Sequence, residues 1–394
     1  MRFPEKSQAL NIGSALELSE RYMTQPHEYE LMSHSEKIAS VRVRSVVVPL
    51  RRPVIAGIGR FDRWPLILVD VETRAGITGC SYISPYRATA VPGIKAEIED
   101  IAQTLKDAPL APFDAFESAA KGLNVIGVSG VSTIALSAVD MALWDALAKS
   151  AGLPLAEYLG GTVGPTRAYN SNGLWRHEVA TLAAEAQALA REGGFSAMKL
   201  RLGNVHVKDD LAAIDAVRQG VGREVDLMVD FNQALGLGDA IRRCHELDEQ
   251  GLYWFEEPIA YDNIRGYAQL AKTVRTPLQM GENYYGPRDL YNFSSAGGVH
   301  YAMADMMRIG GVTGWLRVAG VAAATGIQLS NHLYPEFSSH LMRVTPTAHW
   351  LEWVDWANPI LANPLEPRGG YLTPAASPGA GIEWLESAVE KYQV

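Results

Sequence analysis

Three acidic residues follow strand-like apolar runs at nearly constant spacing. Asp230 ends the run LMVD, Glu256 ends LYWFE and Glu282 follows LQMG, with successive members 26 residues apart. That interval suits one strand, one helix and two loops, because a parallel crossover takes roughly a dozen residues or more. The three carboxylates are therefore predicted at the same ends of consecutive strands. Converging carboxylates repel one another, and all-oxygen ligation favours a hard divalent cation, Mg²⁺ or alternatively Mn²⁺.

A histidine and an aspartate form a second candidate group. Asp305 ends YAMAD and His332 ends QLSNH, on what would be neighbouring strands. Adjacent strands lie under about 5 Å apart, so the Asp305 carboxylate is expected to accept a hydrogen bond from the imidazole and raise its basicity. We predict that His332 transfers a proton. Lys199 is expected on the opposite side of the pocket, and Glu352 would act as an acid if burial raised its pKa.

Each of these residues also has a simpler interpretation. A lone Asp or Glu at a strand end more often caps a helix or forms a surface ion pair, and a lone buried histidine is more often structural. The regular spacing of three carboxylates beside a His–Asp pair favours function. Glu257 illustrates the alternative, because strand alternation turns it away from Glu256 and towards a cation or a helix N-terminus.

The elements that carry these residues alternate regularly after Gly160–Gly161. Polar residues end successive strand-like runs, at Lys199, Asp230, Glu256, Glu282, Asp305, His332 and Glu352. With TRAYNS (166–171) as the first strand, eight strands are predicted. We predict an α/β fold, a TIM-type (β/α)7β barrel over residues 161–360, with functional residues at the carboxyl ends of its strands. A doubly wound sheet is the alternative, because alternation alone does not prove closure.

A smaller domain precedes the barrel. Residues 41–50 and 65–73 have strand-like patterns, and residues 90–106 and 131–151 have helical ones. We predict an N-terminal α+β capping domain over residues 37–160, against which the C-terminal segment 361–394 packs as a strap. Residues 1–36 show no period and are interpreted as an extension or a strap.

Composition limits the partners and the compartment. The 394 residues carry a net charge of −9 and no basic run, which argues against nucleic acid as the partner. Two cysteines cannot form a disulfide framework, and we find neither a long apolar span nor a signal-peptide pattern. A cytoplasmic protein without a membrane partner is predicted, acting on a small carboxylate.

From residue 38 onwards the chain resembles the mandelate racemase subgroup of the enolase superfamily. The likeness is carried by VDFNQ, LQMGEN, RIGGVTGW and TPTAHWLE. It implies that Mg²⁺ is bound by Asp230, Glu256 and Glu282, that Asp305–His332 is the catalytic dyad, and that Glu352 is the electrophilic acid. It further implies that Lys199 neutralises the substrate carboxylate, that Ser171 and Asn232 contact substrate, and that the protein is a homo-oligomer, an octamer being one possibility.

One position departs from the family pattern. The second lysine of the family's Lys-x-Lys motif, a base on the face opposite the histidine, is Arg201 in this chain. A guanidinium stays protonated, with a pKa above about 12, and is a poor base. Racemisation needs a base on each face of the α-carbon, so the substitution favours a reaction with His332 as the single base.

Three functions therefore compete. The leading hypothesis is dehydration of an acid sugar to a 2-keto-3-deoxy acid through an enediolate, which makes the protein a lyase. The alternative is a racemase or epimerase of a 2-hydroxy acid, with Arg201 or Lys199 as the second base. A protein of another class, one that binds metal without turnover, is the third. Arg60, Asp62, Arg63 and Ser84 are expected to give the lid a polar surface that suits a polyol or a dicarboxylate.

Overall fold

The computed structural model describes residues 36–56, 59–176 and 178–394. The predicted extension over residues 1–36 therefore lies almost entirely outside the described residues. The described chain begins with a three-stranded antiparallel sheet, made of β1 (Ile38–Ala56), β2 (Gly59–Thr73) and β3 (Thr78–Ile83). Valine, leucine and isoleucine dominate the paired stretch of β1 and β2, where Val46 lies opposite Leu66 and both are buried. β-branched side chains of this kind pack well on a pleated surface.

Helices cover one face of this sheet. They are α1 (Val91–Leu105), α2 (Pro112–Leu123), α3 (Val131–Ser150) and the short α4 (Leu155–Tyr158), with a 3₁₀ turn at Ala88–Ala90. The helices predicted at 90–106 and 131–151 are present as α1 and α3. Among the described residues, α3 is long and apolar enough to cross a bilayer, but 83% of its apolar window is buried inside the protein. It packs against β3, α1 and the barrel, as a core helix does.

Eight parallel strands follow, in alternation with helices. The strands are β4 (Thr166–Asn170), β5 (Ala197–Arg201), β6 (Asp226–Asp230), β7 (Phe255–Glu256), β8 (Leu278–Met280), β9 (Tyr301–Asp305), β10 (Gln328–His332) and β11 (Leu351–Trp353). The helices are α5 (Val179–Gly193), α6 (Val207–Val221), α7 (Leu237–Leu247), α8 (Ile264–Leu270), α9 (Pro287–Ala296), α10 (Met306–Ile309), α11 (Gly311–Thr325) and α12 (Pro335–Met342). Short 3₁₀ turns lie at Asp248–Gln250 and Asn358–Ile360.

The sheet closes into a barrel. Neighbouring strands pair in sequence order from β4 to β10, and β11 pairs with β4. A parallel bridge between Leu329 and Ala348 joins the remaining edge beside β10. Closure confirms the predicted barrel and excludes the doubly wound sheet, which would leave two open edges.

Strand alternation arranges the barrel interior in layers. Ala197, Met228, Trp254, Trp350 and Tyr169 form a buried cluster within the barrel. Two residues further along the same strands stand, in the same order, Lys199, Asp230, Glu256, Glu352 and Ser171. Because side chains two residues apart share a face, each polar side chain lies one layer above an apolar one. The apolar layer therefore forms the floor on which the polar layer rests.

The C-terminal segment returns to the first sheet. It contains β12 (Tyr371–Leu372), which pairs with β4, and α13 (Glu386–Tyr392). The Arg44 guanidinium donates to Glu386 at 2.5 Å and 3.2 Å, and the Trp384 indole donates to Asp70 at 2.6 Å. We propose that the chain divides into the capping domain 37–160 with strap 361–394 and the barrel 161–360.

Candidate active site

The predicted site residues stand at one end of the barrel. Lys199, Arg201, Asp230, Glu256, Asp305, His332 and Glu352 lie at or next to the carboxyl ends of their strands, and Glu282 lies two residues beyond β8. Strand register brings neighbours together, since Arg201 lies opposite Asp230, Asp230 opposite Glu256, and Asp305 opposite His332. The spacing in the sequence thus becomes a single layer of charged side chains.

A cavity of about 230 Å³ opens above this layer. Polar side chains from the strand ends form its floor, and apolar ones from the capping domain and nearby loops form its walls. The lining residues are Val54, Phe61, Trp64, Tyr86, Trp175, Lys199, Arg201, Asp230, Asn232, Glu282, His332, Leu333, Glu352 and Trp356. The volume is suited to a small organic acid.

The Lys199 ammonium lies buried among carboxylates. Its Nζ is 2.6 Å from Glu256 Oε1, 2.9 Å from Glu352 Oε1 and 3.5 Å from Asp230 Oδ2. Burial by itself lowers the pKa of Lys199, but Glu256 and Glu352 outweigh it and hold the pKa well above its usual value. Lys199 is therefore a fixed positive charge rather than a base.

The three predicted metal ligands all offer carboxylate oxygen atoms. Their side chains do not, however, surround a single point at which an ion could be bound. Asp230 accepts hydrogen bonds from the backbone and the side-chain amide of Asn232, at 2.7 Å and 2.9 Å. Glu256 accepts from the Trp254 indole at 3.0 Å. Within the described ranges, no three His, Cys, Asp or Glu side chains are gathered closely enough to enclose an ion as they stand. Lys199 lies between two of the three carboxylates.

The charge at these carboxylates still fits a divalent cation. Burial raises the pKa of Glu256, and the neighbouring Asp230 and Glu352 raise it further, against the opposing effect of Lys199. A single ammonium therefore does not fully compensate the acidic cluster. Mg²⁺ held by Asp230, Glu256 and Glu282 would supply the missing charge and would stabilise an oxyanion that forms beside it.

Asp305 and His332 are hydrogen-bonded to each other. His332 Nδ1 lies 2.5 Å from Asp305 Oδ2, while Asp305 Oδ1 accepts the backbone N–H groups of Met307 and Arg308 at the start of α10. The carboxylate is therefore fixed from two sides and selects the tautomer with a proton on Nδ1. This leaves Nε2, 3.4 Å from Glu282 Oε2, for proton transfer at the cavity. Burial lowers the pKa of His332, but Glu282 and Asp305 outweigh it and raise the pKa to about 9. Because Glu282 is a predicted Mg²⁺ ligand, a bound cation would offset its charge and favour the neutral imidazole that a base requires.

The condition under which Glu352 would act as an acid, a pKa raised by burial, is not met in this arrangement. Burial raises the pKa of this carboxyl, but Lys199 and His332 outweigh burial and leave the pKa below its usual value. Glu352 Oε2 also accepts the backbone N–H of Leu333 at 2.9 Å, a bond that favours the carboxylate. In this arrangement Glu352 is a charged partner of Lys199 rather than a proton donor.

Arg201 is held away from the role of a base. Its Nη1 donates to the carbonyl oxygens of Ser171 and Gly173 at 3.1 Å and 2.8 Å, and its Nη2 donates to Ser171 Oγ at 2.7 Å. The guanidinium also stacks on Trp175, 3.9 Å from the ring centroid. Five fixed donors and no acceptor leave Arg201 unable to take a proton.

Of the two residues predicted to contact substrate, Asn232 lines the cavity and Ser171 does not. Asn232 lines the cavity, although its amide is engaged with Asp230. Ser171 is fully buried behind Arg201 and also hydrogen-bonds Glu352, and it does not line the cavity. Ser171 therefore joins Arg201 to Glu352 in this structure.

The lid is not polar on its inner side, contrary to the sequence-based expectation. Arg60 and Asp62 pair with each other at 2.9 Å with exposed side chains, and Arg63 donates to the Val47 carbonyl. None of these residues, nor Ser84, lines the cavity. Phe61 and Trp64 of β2 line the cavity instead, at a point where the register between β1 and β2 shifts and regular alternation is interrupted.

Several residues at or near the site were missed by the sequence reasoning. Trp175 and Trp356 lie in loops after β4 and β11, where an isolated tryptophan gives no periodic signal. Glu257, expected to meet a cation or a helix end, instead accepts from the side-chain amides of Gln233 and Asn283 at 2.8 Å and 3.1 Å. Its φ of 37° is rare for glutamate and could not be read from the sequence.

Comparison with known proteins places the fold and site in a family. A model of the mandelate racemase / muconate lactonizing enzyme N-terminal domain matches residues 38–160, and one of the enolase C-terminal domain-like family matches residues 181–388. The chain belongs to the mandelate racemase / muconate lactonizing enzyme family of the enolase superfamily. This membership confirms the resemblance inferred from the sequence.

Individual relatives narrow the chemistry. The L-talarate/galactarate dehydratase of Salmonella typhimurium is 31% identical over 360 residues, which is 90% of either chain. An enolase from alpha pretobacterium bal199 with bound magnesium is 46% identical, with a TM-score of 0.90 over 91% of this chain and 100% of that one. An enolase from Bradyrhizobium, complexed with magnesium and mandelic acid, is 39% identical, with a TM-score of 0.88 over 92% and 100%.

These relatives confirm the predicted cofactor and the broad class of enzyme. Several structures of the family hold magnesium, in agreement with the oxygen ligands found here. Other relatives are cycloisomerases and epimerases, so the family includes both lyases and isomerases. The number of bases at the site distinguishes these two outcomes.

Proposed function

We propose that this protein is a Mg²⁺-dependent hydro-lyase that dehydrates a 2,3-dihydroxy carboxylate, the reacting unit of an acid sugar, to a 2-keto-3-deoxy acid. The observation that carries the proposal is the state of Arg201, whose donors are held by Ser171 and Gly173. Among the described residues that line the cavity, His332 is the one basic side chain free of an assigned role as a fixed cation, so it would take the proton from the α-carbon. A single base suits elimination, which removes a proton and a hydroxyl, better than racemisation, which needs bases on two faces.

The residues can perform this reaction in two steps. His332 Nε2 takes the proton from C2 of the substrate, and the electrons of the C–H bond pass into an enediolate. Asp230, Glu256 and Glu282 would hold Mg²⁺, whose charge would stabilise this anion. The electrons then form the C2–C3 double bond as the C3–O bond breaks. The same histidine returns its proton to the departing hydroxyl, which leaves as water, and the enol tautomerises to the keto acid.

Lys199 and Arg201 add fixed positive charge next to the developing anion. Lys199 is held by Glu256 and Glu352, and Arg201 by Ser171, so neither has to reorganise during the reaction. Preorganised charge of this kind is often the largest contribution to catalysis.

A second function is supported by a separate observation. The Bradyrhizobium relative was solved with mandelic acid, a 2-hydroxy acid without a C3 hydroxyl, and the cavity of this chain has aromatic walls. A racemase or epimerase of a 2-hydroxy acid would fit both facts. It would require Lys199 or Arg201 to act as a base, against the contacts that hold both side chains.

A screen in D₂O tests the proposal. Mono- and dicarboxylic sugar acids and simple 2-hydroxy acids would be incubated with enzyme and Mg²⁺, and NMR would follow α-deuteration and keto-acid formation together. A dehydratase accumulates a keto acid, whereas a racemase deuterates C2 and interconverts the two configurations. If no acid showed either change, the protein would bind metal without turnover, and the proposal would be wrong.

Location and assembly follow the same reasoning from composition and kinship. We propose a cytoplasmic homo-oligomer that acts on a small carboxylate, independent of nucleic acid and of membranes. The net charge of −9 and the kinship with metabolic enzymes support this proposal.

A further inference from the structure

We infer that the substrate is a monocarboxylic 2,3-dihydroxy acid whose far end is apolar or aromatic, and that dicarboxylic sugar acids are poor substrates. This inference rests on the proposed function for the identity of the reacting head group. The chemical character of the far end does not depend on the proposed reaction, because it is argued from the residues of the cavity walls. It separates this chain from the talarate/galactarate dehydratase that it resembles, whose named substrates carry a carboxylate at each end.

The wall opposite the strand ends is a cluster of aromatic rings. The centroid of Trp64 lies 4.7 Å from that of Trp356, 5.4 Å from that of Tyr86 and 5.7 Å from that of Phe61. The Trp64 indole N–H donates to Ser84, which does not line the cavity. The polar edge of Trp64 is therefore already satisfied, and the buried indole supports the surrounding rings, of which Phe61 and Trp356 are partly exposed.

The cationic groups that line the cavity stand at its floor. They are Lys199, Arg201 and, when protonated, His332, and all three come from strand ends. That is the region where the first carboxylate of the substrate and the reacting carbon must lie. A second carboxylate at the far end would therefore meet aromatic rings.

Nearby arginines are directed elsewhere. Arg60 pairs with Asp62, and Arg63 donates to a backbone carbonyl. Arg308 donates to the Glu282 carbonyl at 2.8 Å, and its guanidinium lies 5.2 Å from the centroid of the Tyr86 ring, but Arg308 does not line the cavity. Within the described chain, a distal carboxylate would thus be desolvated without a cationic partner, which is strongly unfavourable.

A polyol at the far end would meet few hydrogen-bonding groups among the described residues. Of the four rings in the wall, Tyr86 alone carries a hydroxyl. The Tyr86 ring lies 5.2 Å from the Arg308 guanidinium. Burial raises the pKa of its phenol, as do the nearby charges of Asp305 and Glu282, so it stands towards the strand-end side of the site. Distal hydroxyl groups would therefore exchange water for carbon surfaces, whereas a phenyl or alkyl group would gain by burial.

The test uses ligands that share one head group and differ only at C3. Lactate, 3-phenyllactate and malate carry hydrogen, phenyl and carboxylate there, and none has a C3 hydroxyl to eliminate. Their affinities for the Mg²⁺-loaded enzyme, measured by calorimetry, therefore do not depend on dehydration. We expect 3-phenyllactate to bind about tenfold or more tighter than lactate, the gain from burying one ring, and malate to bind no better than lactate. Malate binding as tightly as 3-phenyllactate would overturn the inference.

Turnover is compared with the corresponding dihydroxy acids. 3-Phenylglycerate, 2,3-dihydroxybutanoate and tartrate would lose water to give phenylpyruvate, 2-ketobutanoate and oxaloacetate. We expect kcat/KM for 3-phenylglycerate to exceed that for tartrate by on the order of 100-fold. If no dihydroxy acid reacted while the binding order held, dehydration would be wrong and the apolar wall would stand. Rapid turnover of tartrate would instead support dehydration and contradict the inference of an apolar far end.

Variants of the wall residues test whether the aromatic rings cause the preference for 3-phenyllactate over lactate. Trp356→Ala and Phe61→Ala each remove one half-buried ring and are expected to weaken 3-phenyllactate about tenfold more than they weaken lactate. Tyr291→Ala, which removes an exposed aromatic side chain of α9 outside the cavity, is the matched control. Equal weakening of both ligands in the two wall variants would contradict the inference.

Discussion

At the scale of single residues, the chemistry depends on which side chains can accept a proton. Arg201 is bound to backbone carbonyls and a serine, Lys199 is bound to carboxylates, and Asp305 orients His332. Each charged group except the histidine is thus committed to a fixed partner. This division predicts a one-base enzyme and makes two positions decisive.

His332→Asn removes the base without altering the metal ligands. We expect α-proton exchange to fall by roughly 10²–10⁴-fold, the usual contribution of a general base. The affinity for Mn²⁺, measured by EPR as a stand-in for Mg²⁺, should stay within about twofold of the wild-type value. Normal exchange in this variant would refute the role of His332.

Arg201→Lys should introduce a second base. A lysine beside the Lys199 ammonium has its pKa lowered by like charge, so part of it is free to accept a proton. We expect racemisation of an α-deuterated 2-hydroxy acid to rise by about tenfold or more over the wild type, as measured by chiral chromatography.

The matched control is Arg201→Gln, which keeps hydrogen-bonding groups but has no basic nitrogen. Racemisation that rises equally in the glutamine variant, or in neither variant, would show that the arginine is not what limits the wild type to one base.

At the scale of elements, the capping domain and the barrel are joined by buried polar contacts. Asp140 of α3 accepts hydrogen bonds from the backbone N–H and the hydroxyl of Thr313 of α11, at 2.9 Å and 2.6 Å. Gly311 lies against this carboxyl, where any Cβ would stand 2.5 Å from Asp140 Oδ2. The helices can approach this closely because position 311 has no side chain.

Asp140 predicts a pH-dependent stability. Burial raises its pKa to about 7 from the usual 3.8, although the bonds from Thr313 lower it in part. Between these two values the folded protein holds a proton that the unfolded chain has lost. The free energy of unfolding should therefore fall as the pH rises through this window and level off above about pH 7.

Asp140→Asn removes the titrating carboxyl, so this variant serves as the reference for the wild type. The free energy of unfolding of the wild type minus that of Asp140→Asn, measured with urea, should drop by about 2–3 kcal/mol between pH 5 and pH 8. Other titrating groups, including those of the site, cancel in the difference. A difference that does not change with pH would contradict the assignment.

At the scale of the whole molecule, the acidic floor couples metal binding to stability. Asp230, Glu256, Glu282 and Glu352 lie at one end of the barrel, with Lys199 between several of them. A cation that binds only the folded barrel relieves their repulsion and shifts the folding equilibrium. The whole fold, rather than any single loop, should therefore respond to the metal.

Magnesium is expected to raise the melting temperature. At a free concentration 100 times its Kd, the ion should add about 2.7 kcal/mol to the free energy of unfolding, and EDTA should remove it. Differential scanning calorimetry measures the shift. Glu282→Gln, which removes one ligand charge at a residue that is not buried in the core, should lose most of the shift. An unchanged response in this variant would place the ion elsewhere.

Much of the site could be read from the sequence because a barrel repeats. Strand–helix units of similar length put their polar ends in one layer, so Asp230, Glu256, Asp305 and His332 follow from spacing and from a strand period of two. The grouping of these residues could be predicted without knowing how the rest of the chain packs. The departure at Arg201 was also visible, since the chemistry of guanidinium does not depend on context.

The tertiary structure alone decided the surroundings of those residues. Burial predicted a raised pKa for Glu352, and contact with Lys199 reversed it. The lid appeared polar because Arg60 and Asp62 stand in its sequence, yet its inner face is made by Phe61 and Trp64. The sequence determined the reacting groups, because they are chemical identities at regular intervals. Electrostatic balance and cavity shape arise between segments far apart in the chain, so only their packing could determine them.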